Sequence, residues 1–154
     1  MLKLPGFLDT RLSRRHLLTT VASKAFMIPS QARKEITVMA IEPGETALST
    51  RKLLIESVGF NCISAVSGDQ ALRMLDKHVI DAVLFDIDIS DMEPTDFLVQ
   101  VDAKRPDIPI FAVARNGWVP DQLKSKFTIV FEKMADPRDL VENLVQYFSD
   151  RAAA

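Results

Sequence analysis

The sequence predicts an α/β fold, a doubly wound parallel sheet of five strands. Three observations carry this. Short apolar runs recur from Ile36 onward, stretches of helical periodicity separate them, and several runs lack the polar alternation of a half-exposed strand. Runs apolar on both faces belong to parallel sheets covered by helices, and strand–helix alternation is what winds such a sheet. The expected strands are 36–41, 60–66, 82–85, 108–114 and 128–131. The right-handed crossover rule then places helices on both faces.

Five helices are expected between and after these strands. The first spans 45–58, with Ala47, Leu54 and Val58 on its inner face. The second spans 68–78, with Ser67 as N-cap and Ala71, Leu72 and Leu75 inward. The third spans 95–104 and presents Phe97, Leu98 and Val101; a short fourth lies near 120–126. The fifth spans 137–149: Asp136 caps it, Pro137 suits its first turn, and Leu140, Val141, Leu144, Val145 and Phe148 form one stripe. The tail 151–154 is expected to fray.

A chain of 154 residues suits one main domain, here 35–150. Charge is unevenly divided. Residues 1–34 hold seven Lys or Arg and one acid (Asp9), whereas 35–154 hold 12 basic and 20 acidic side chains. The acidic body argues against nucleic-acid binding. Within the basic arm, Ser13 to Ile28 can form an amphipathic helix carrying Leu17, Leu18 and Val21 on one side, with Pro29-Ser30 ending it. Those three residues are candidate partner contacts on the domain itself, on a second copy or, less favoured, on a membrane surface. Ser13-Arg14-Arg15 has the look of a twin-arginine export signal, but Lys24 interrupts a short apolar stretch that also holds two Thr. One cysteine, Cys62, allows no internal disulfide and fits a reducing compartment; it is expected in a strand. The histidines, His16 and His78, give no metal-ligand spacing with it. No Ser-His-Asp or Cys-His arrangement and no Gly-rich phosphate loop is visible, so the chain does not read as an enzyme.

Two charged residues fall at strand ends. Ala82-Val83-Leu84-Phe85 stops at Asp86, and Thr128-Ile129-Val130-Phe131 ends in Glu132-Lys133. In a parallel sheet both lie on the carboxyl edge, where ligands bind. A carboxylate and an ammonium there suit phosphoryl chemistry, or a salt bridge tying two strands, partly exposed and modest in strength.

On these residues 36–149 resembles the receiver domain of two-component response regulators, a flavodoxin-like fold. The family takes a phosphoryl group from a histidine kinase or phosphotransfer protein onto an aspartate. The resemblance makes Asp86 the phosphoacceptor and Lys133 the phosphoryl-contacting lysine. It also exposes departures. The two adjacent acids that close the family's first strand and hold Mg²⁺ are Ala40 and Ile41 here. The family's Thr or Ser after the fourth strand is Ala114, its aromatic switch residue is Val130, and the Pro after its lysine is Met134. The stretch from Ala114 to Lys133 is short, which clips the fourth helix.

The resemblance and its departures imply an atypical receiver: a signalling interaction module in a phosphorelay, with Asp86 phosphorylation impaired or absent and either no cofactor or weakly bound Mg²⁺. A phosphorylation-competent regulator is the alternative, with a rearranged metal site of Asp86, Asp88 and Glu42 and with Asp91 nearby. A third reading is an adaptor tethered through the arm. Homodimerisation stays open. Trp118 is either an exposed partner anchor or, as preferred, a cover for core left open by the clipped helix.

Overall fold

A computed structural model describes residues 28–153. The sheet has five parallel strands in the order β2-β1-β3-β4-β5. They are β1 (Thr37–Ile41), β2 (Asn61–Ala65), β3 (Ala82–Asp86), β4 (Ile110–Ala114) and β5 (Ile129–Glu132). The helices are α1 (Ser30–Glu35), α2 (Glu45–Ser57), α3 (Gly68–Lys77), α4 (Pro94–Lys104), α5 (Asp121–Lys124) and α6 (Pro137–Ala152). All five expected strands and all five expected helices are present.

Strand periodicity sends alternate residues to opposite faces. Val38 and Ala40 of β1 face α2 and α6, joining Leu48, Ile55, Leu140, Val141, Leu144 and Val145. Met39 and Ile41 face α3 and α4, joining Leu72, Leu75, Phe97, Leu98 and Val101. Residues of β3 and β4 are buried throughout, which is why these strands read as unbroken apolar runs. Ser67 caps α3 as expected, its hydroxyl accepting from Gln70 N–H at 3.1 Å. Asp136 caps α6, accepting from Arg138 N–H at 3.0 Å.

Three expectations are corrected. The packed unit does not begin at residue 35. Ile28 is buried among Ile55, Phe60 and Leu144, and α1 follows it directly. Pro29-Ser30 starts α1, and Pro suits the residue just before a helix because it has no N–H to leave unpaired there. α6 runs to Ala152, so Arg151 and Ala152 of the expected frayed tail are helical. Trp118 does not cover the core: it is 67% exposed, and its neighbour Val119 and Leu123 of α5 are buried instead. The arm residues Leu17, Leu18 and Val21 lie outside the described residues.

Candidate functional site

The strand order changes direction between β1 and β3, so the loops after these two strands diverge and leave a crevice at the carboxyl edge. Asp86, the last residue of β3, points into it and has no solvent-accessible surface. Glu42 follows β1 and is also buried. Its Oε1 accepts from Gly44 N–H at 3.0 Å, which turns the side chain back toward the start of α2. Lys133 follows β5, where its N–H donates to the Ala114 carbonyl. From there it reaches across the end of β4.

The charges interlock. Asp86 Oδ1 accepts from Asp88 N–H at 2.9 Å. Asp86 Oδ2 lies 3.0 Å from Lys133 Nζ and accepts from Arg51 Nη2 at 3.4 Å. Arg51 Nη1 lies 2.6 Å from Glu42 Oε2, an ionic contact without a directed hydrogen bond. Lys133 Nζ also stands 3.9 Å from Glu42 Oε1 and 3.8 Å from Asp88 Oδ2. Arg115 stands 3.6 Å from Asp88 on the exposed side. Three acids, Glu42, Asp86 and Asp88, thus meet three bases, Arg51, Lys133 and Arg115.

Burial opposes ionisation of both inner carboxyls. For Glu42 that effect and the neighbouring Asp86 prevail, and its pKa rises above the usual carboxylate range. For Asp86 burial is outweighed by hydrogen bonds with Glu42, Asp88 N–H and Lys133, which hold its pKa below that range. Glu42 is therefore the first of the pair to take a proton, and Asp86 stays the carboxylate.

The sequence placed Asp86, Lys133, Glu42 and Asp88 correctly at one edge, and the structure brings all four together. It missed Arg51. The inner face of α2 carries Leu48, Arg51 and Ile55, spaced by three and four residues. The expected face was Ala47, Leu54 and Val58, of which Leu54 and Val58 only flank the core. A charged residue inside an apolar stripe reads as solvent-facing. The available signal was two strand-end acids with one visible cation between them.

The Asp86–Lys133 bridge is also less exposed than expected, because one partner is fully buried. Asp91 is not part of the cluster. Its carboxylate accepts from Gly68 N–H and Asp69 N–H, both at 2.9 Å, and ties the β3–α4 loop to the start of α3. Gly68 permits that closeness: a Cβ there would lie 2.9 Å from Met92 Sδ.

With Arg51 and Lys133 seated among them, Asp86, Asp88 and Glu42 do not fit a Mg²⁺ site. Mg²⁺ requires near-octahedral oxygen ligands. Among the described residues no group of three or more His, Cys, Asp or Glu is arranged to hold a metal. Ala40 and Ile41 offer no side-chain oxygen, and the oxygens of Glu42 and Asp86 face Arg51, Lys133 and backbone N–H groups.

Sheet order, the crevice between β1 and β3 and the aspartate–lysine pair define a receiver-type signalling domain. The family described as response regulator receiver domain matches residues 38–145, and the chain belongs to it. It is 22% identical over 108 residues to the transcriptional regulatory protein GlrR of Escherichia coli K12, covering 70% of this chain and 24% of that protein. The chain thus spans about a quarter of the curated relatives it matches. Among solved structures, a CheY-like receiver domain of Methanospirillum hungatei superposes with a TM-score of 0.66 at 22% identity, covering 75% of this chain and 94% of that one. The receiver domain of the sensor histidine kinase PA1611 of Pseudomonas aeruginosa, with a magnesium ion coordinated in its active-site cleft, gives 0.65 at 18% identity, covering 75% and 98%. No described helix is long and apolar enough to cross a membrane.

Proposed function

We propose that this receiver domain acts as a regulatory interaction module of a two-component network, with phosphoryl transfer to Asp86 impaired or lost. The burial of Asp86 carries this reading. An attacking carboxylate needs an oxygen open to the incoming phosphorus. Here one oxygen accepts the Asp88 N–H, and the other is shared by Lys133 and Arg51. Charge that builds on the transferring group is normally met by a metal and a hydroxyl donor. Ala40, Ile41 and Ala114 supply neither.

On this reading the domain holds one conformation and signals by being bound. A ligand shifts an equilibrium only where it binds two states unequally, and the Ala114 and Val130 positions remove the usual means of distinguishing them. Partners would be a histidine kinase, a phosphotransfer protein or another cytoplasmic signalling protein. Trp118 and Met134, 67% and 87% exposed in the loops after β4 and β5, are the contacts we assign to them.

The test is intact-mass measurement after incubation with acetyl phosphate and Mg²⁺. The expected spectrum shows the unmodified chain. A phosphoryl adduct that disappears in Asp86→Ala overturns the reading.

A further inference from the structure

We propose that Arg51 is the resident cation of the acid pocket, and that its guanidinium excludes divalent metal from this receiver. The proposal extends the reading of an impaired site, but it concerns metal binding alone.

One nitrogen of the guanidinium contacts Glu42 at 2.6 Å and the other contacts Asp86 at 3.4 Å. The fork therefore bridges the two strand ends between which a metal would have to be shared. Arg51 is only 7% exposed, so this is not a surface arginine folded over the crevice by chance. Its backbone explains the reach: Leu48 and Ile55 bury the same face of α2 one turn to either side, and Arg51 enters from the middle of the stripe. Arg51 shares a cavity wall with Leu54, Phe131 and Leu140 as well as with Lys133 and Asp136; apolar neighbours suit an arginine's methylenes while its head stays among charges.

Glu42, Asp86 and Asp88 are already balanced by Arg51, Lys133 and Arg115. A divalent ion would add two positive charges beside a buried guanidinium, and repulsion at such short range is strong where water is excluded. To relieve it Arg51 would have to leave, stripping Glu42 and Asp86 of a partner and moving its stem out of the core. A guanidinium is always charged and planar, so it holds a two-carboxylate site permanently, with no dependence on metal supply.

The experiment is an amide NMR titration of the full chain with MgCl₂ at constant ionic strength, on the wild type, Arg51→Met and Arg51→Lys. The wild type and Arg51→Lys are expected to show no saturable shift at Glu42, Asp86 or Asp88. Arg51→Met is expected to saturate, with affinity at least roughly tenfold tighter than wild type, about 1.4 kcal/mol. Saturable millimolar binding by the wild type at these residues overturns the proposal, as does a folded Arg51→Met that stays silent. Should Arg51→Met be unfolded without metal, Mg²⁺ is expected to restore its dispersed spectrum, since binding to the native state alone favours folding; failure to do so also counts against the proposal. A phosphoryl adduct that forms on the wild type in acetyl phosphate without Mg²⁺ would remove the functional reading above and leave this one standing; an adduct that requires Mg²⁺ would overturn both.

Discussion

At the amino edge of the sheet the chain closes itself with apolar surface and backbone. Ile28 is buried beneath α1, Arg33 donates to the Ile28 carbonyl at 2.6 Å, and Thr37 N–H donates to Asp81 at 2.8 Å. At the carboxyl edge it closes itself with charge, through Glu42, Arg51, Asp86 and Lys133. The two ends differ in what a substitution leaves behind. Truncating an apolar plug leaves a void. Truncating one member of a buried ion cluster leaves an unpaired charge in the core, which costs more than the pair contributed. The carboxyl edge is therefore held by mutual dependence: none of its four inner residues can be changed alone without exposing another.

The largest expected effect follows from that asymmetry. Arg51→Ala should lower unfolding free energy by about 3–5 kcal/mol, because Glu42 and Asp86 lose a buried partner. Urea denaturation measures this, and a loss under about 1 kcal/mol would show that the cluster is solvated rather than buried. At the opposite edge, Ile28→Ala should cost about 2–5 kcal/mol by the same measurement, through lost burial and an incompletely collapsed void. An intact Tm in that variant would place Ile28 outside the core. Ser67→Ala, away from both edges, should cost about 1 kcal/mol for the lost cap on α3. Trp118→Ala should change stability by no more than about 0.5 kcal/mol, since the ring is exposed; any larger effect belongs in partner binding, read by pull-down against a cognate kinase.

Acidification separates the two inner carboxyls. Glu42 has a raised pKa in the folded state, so its stabilising contribution is present at low pH and lost as pH rises through that pKa. Asp86 has a lowered pKa, so its contribution is present above the ordinary aspartate value and lost as pH falls through the folded one. From neutral pH downward, stability should first rise as folded Glu42 takes its proton and then fall as Asp86 is forced to take one. In Glu42→Gln the first rise should vanish while the acid fall remains. Urea midpoints measured across pH decide this, and a rise that persists in Glu42→Gln would assign it to another group.

Much of the fold was legible because its signals are local. Buried parallel strands such as Ala82–Asp86 are apolar on both faces, and Ser67 and Asp136 mark helix starts by their own hydrogen-bonding chemistry. Asp86 and Lys133 were legible because an apolar run ending in a charge locates the sheet edge. What escaped depended on long-range packing. Arg51 escaped because rotating the inner face of α2 by one residue moves it from solvent to core, and only the acids waiting at the strand ends settle which rotation holds. α1 escaped because Pro29-Ser30 punctuates a helix end and a helix start alike. Trp118 was assigned to cover the core, a task the structure gives to Val119 and Leu123.

The central claim is that the chain's own cations close this receiver site. The most direct test is the amide NMR spectrum of the full chain with Mg²⁺ and beryllofluoride, a mimic of the aspartyl phosphate. The account predicts an unchanged spectrum at Asp86, Ala114 and Lys133. Shifts centred on those residues, absent in Asp86→Ala, would contradict it and show a pocket that still opens to a phosphoryl group.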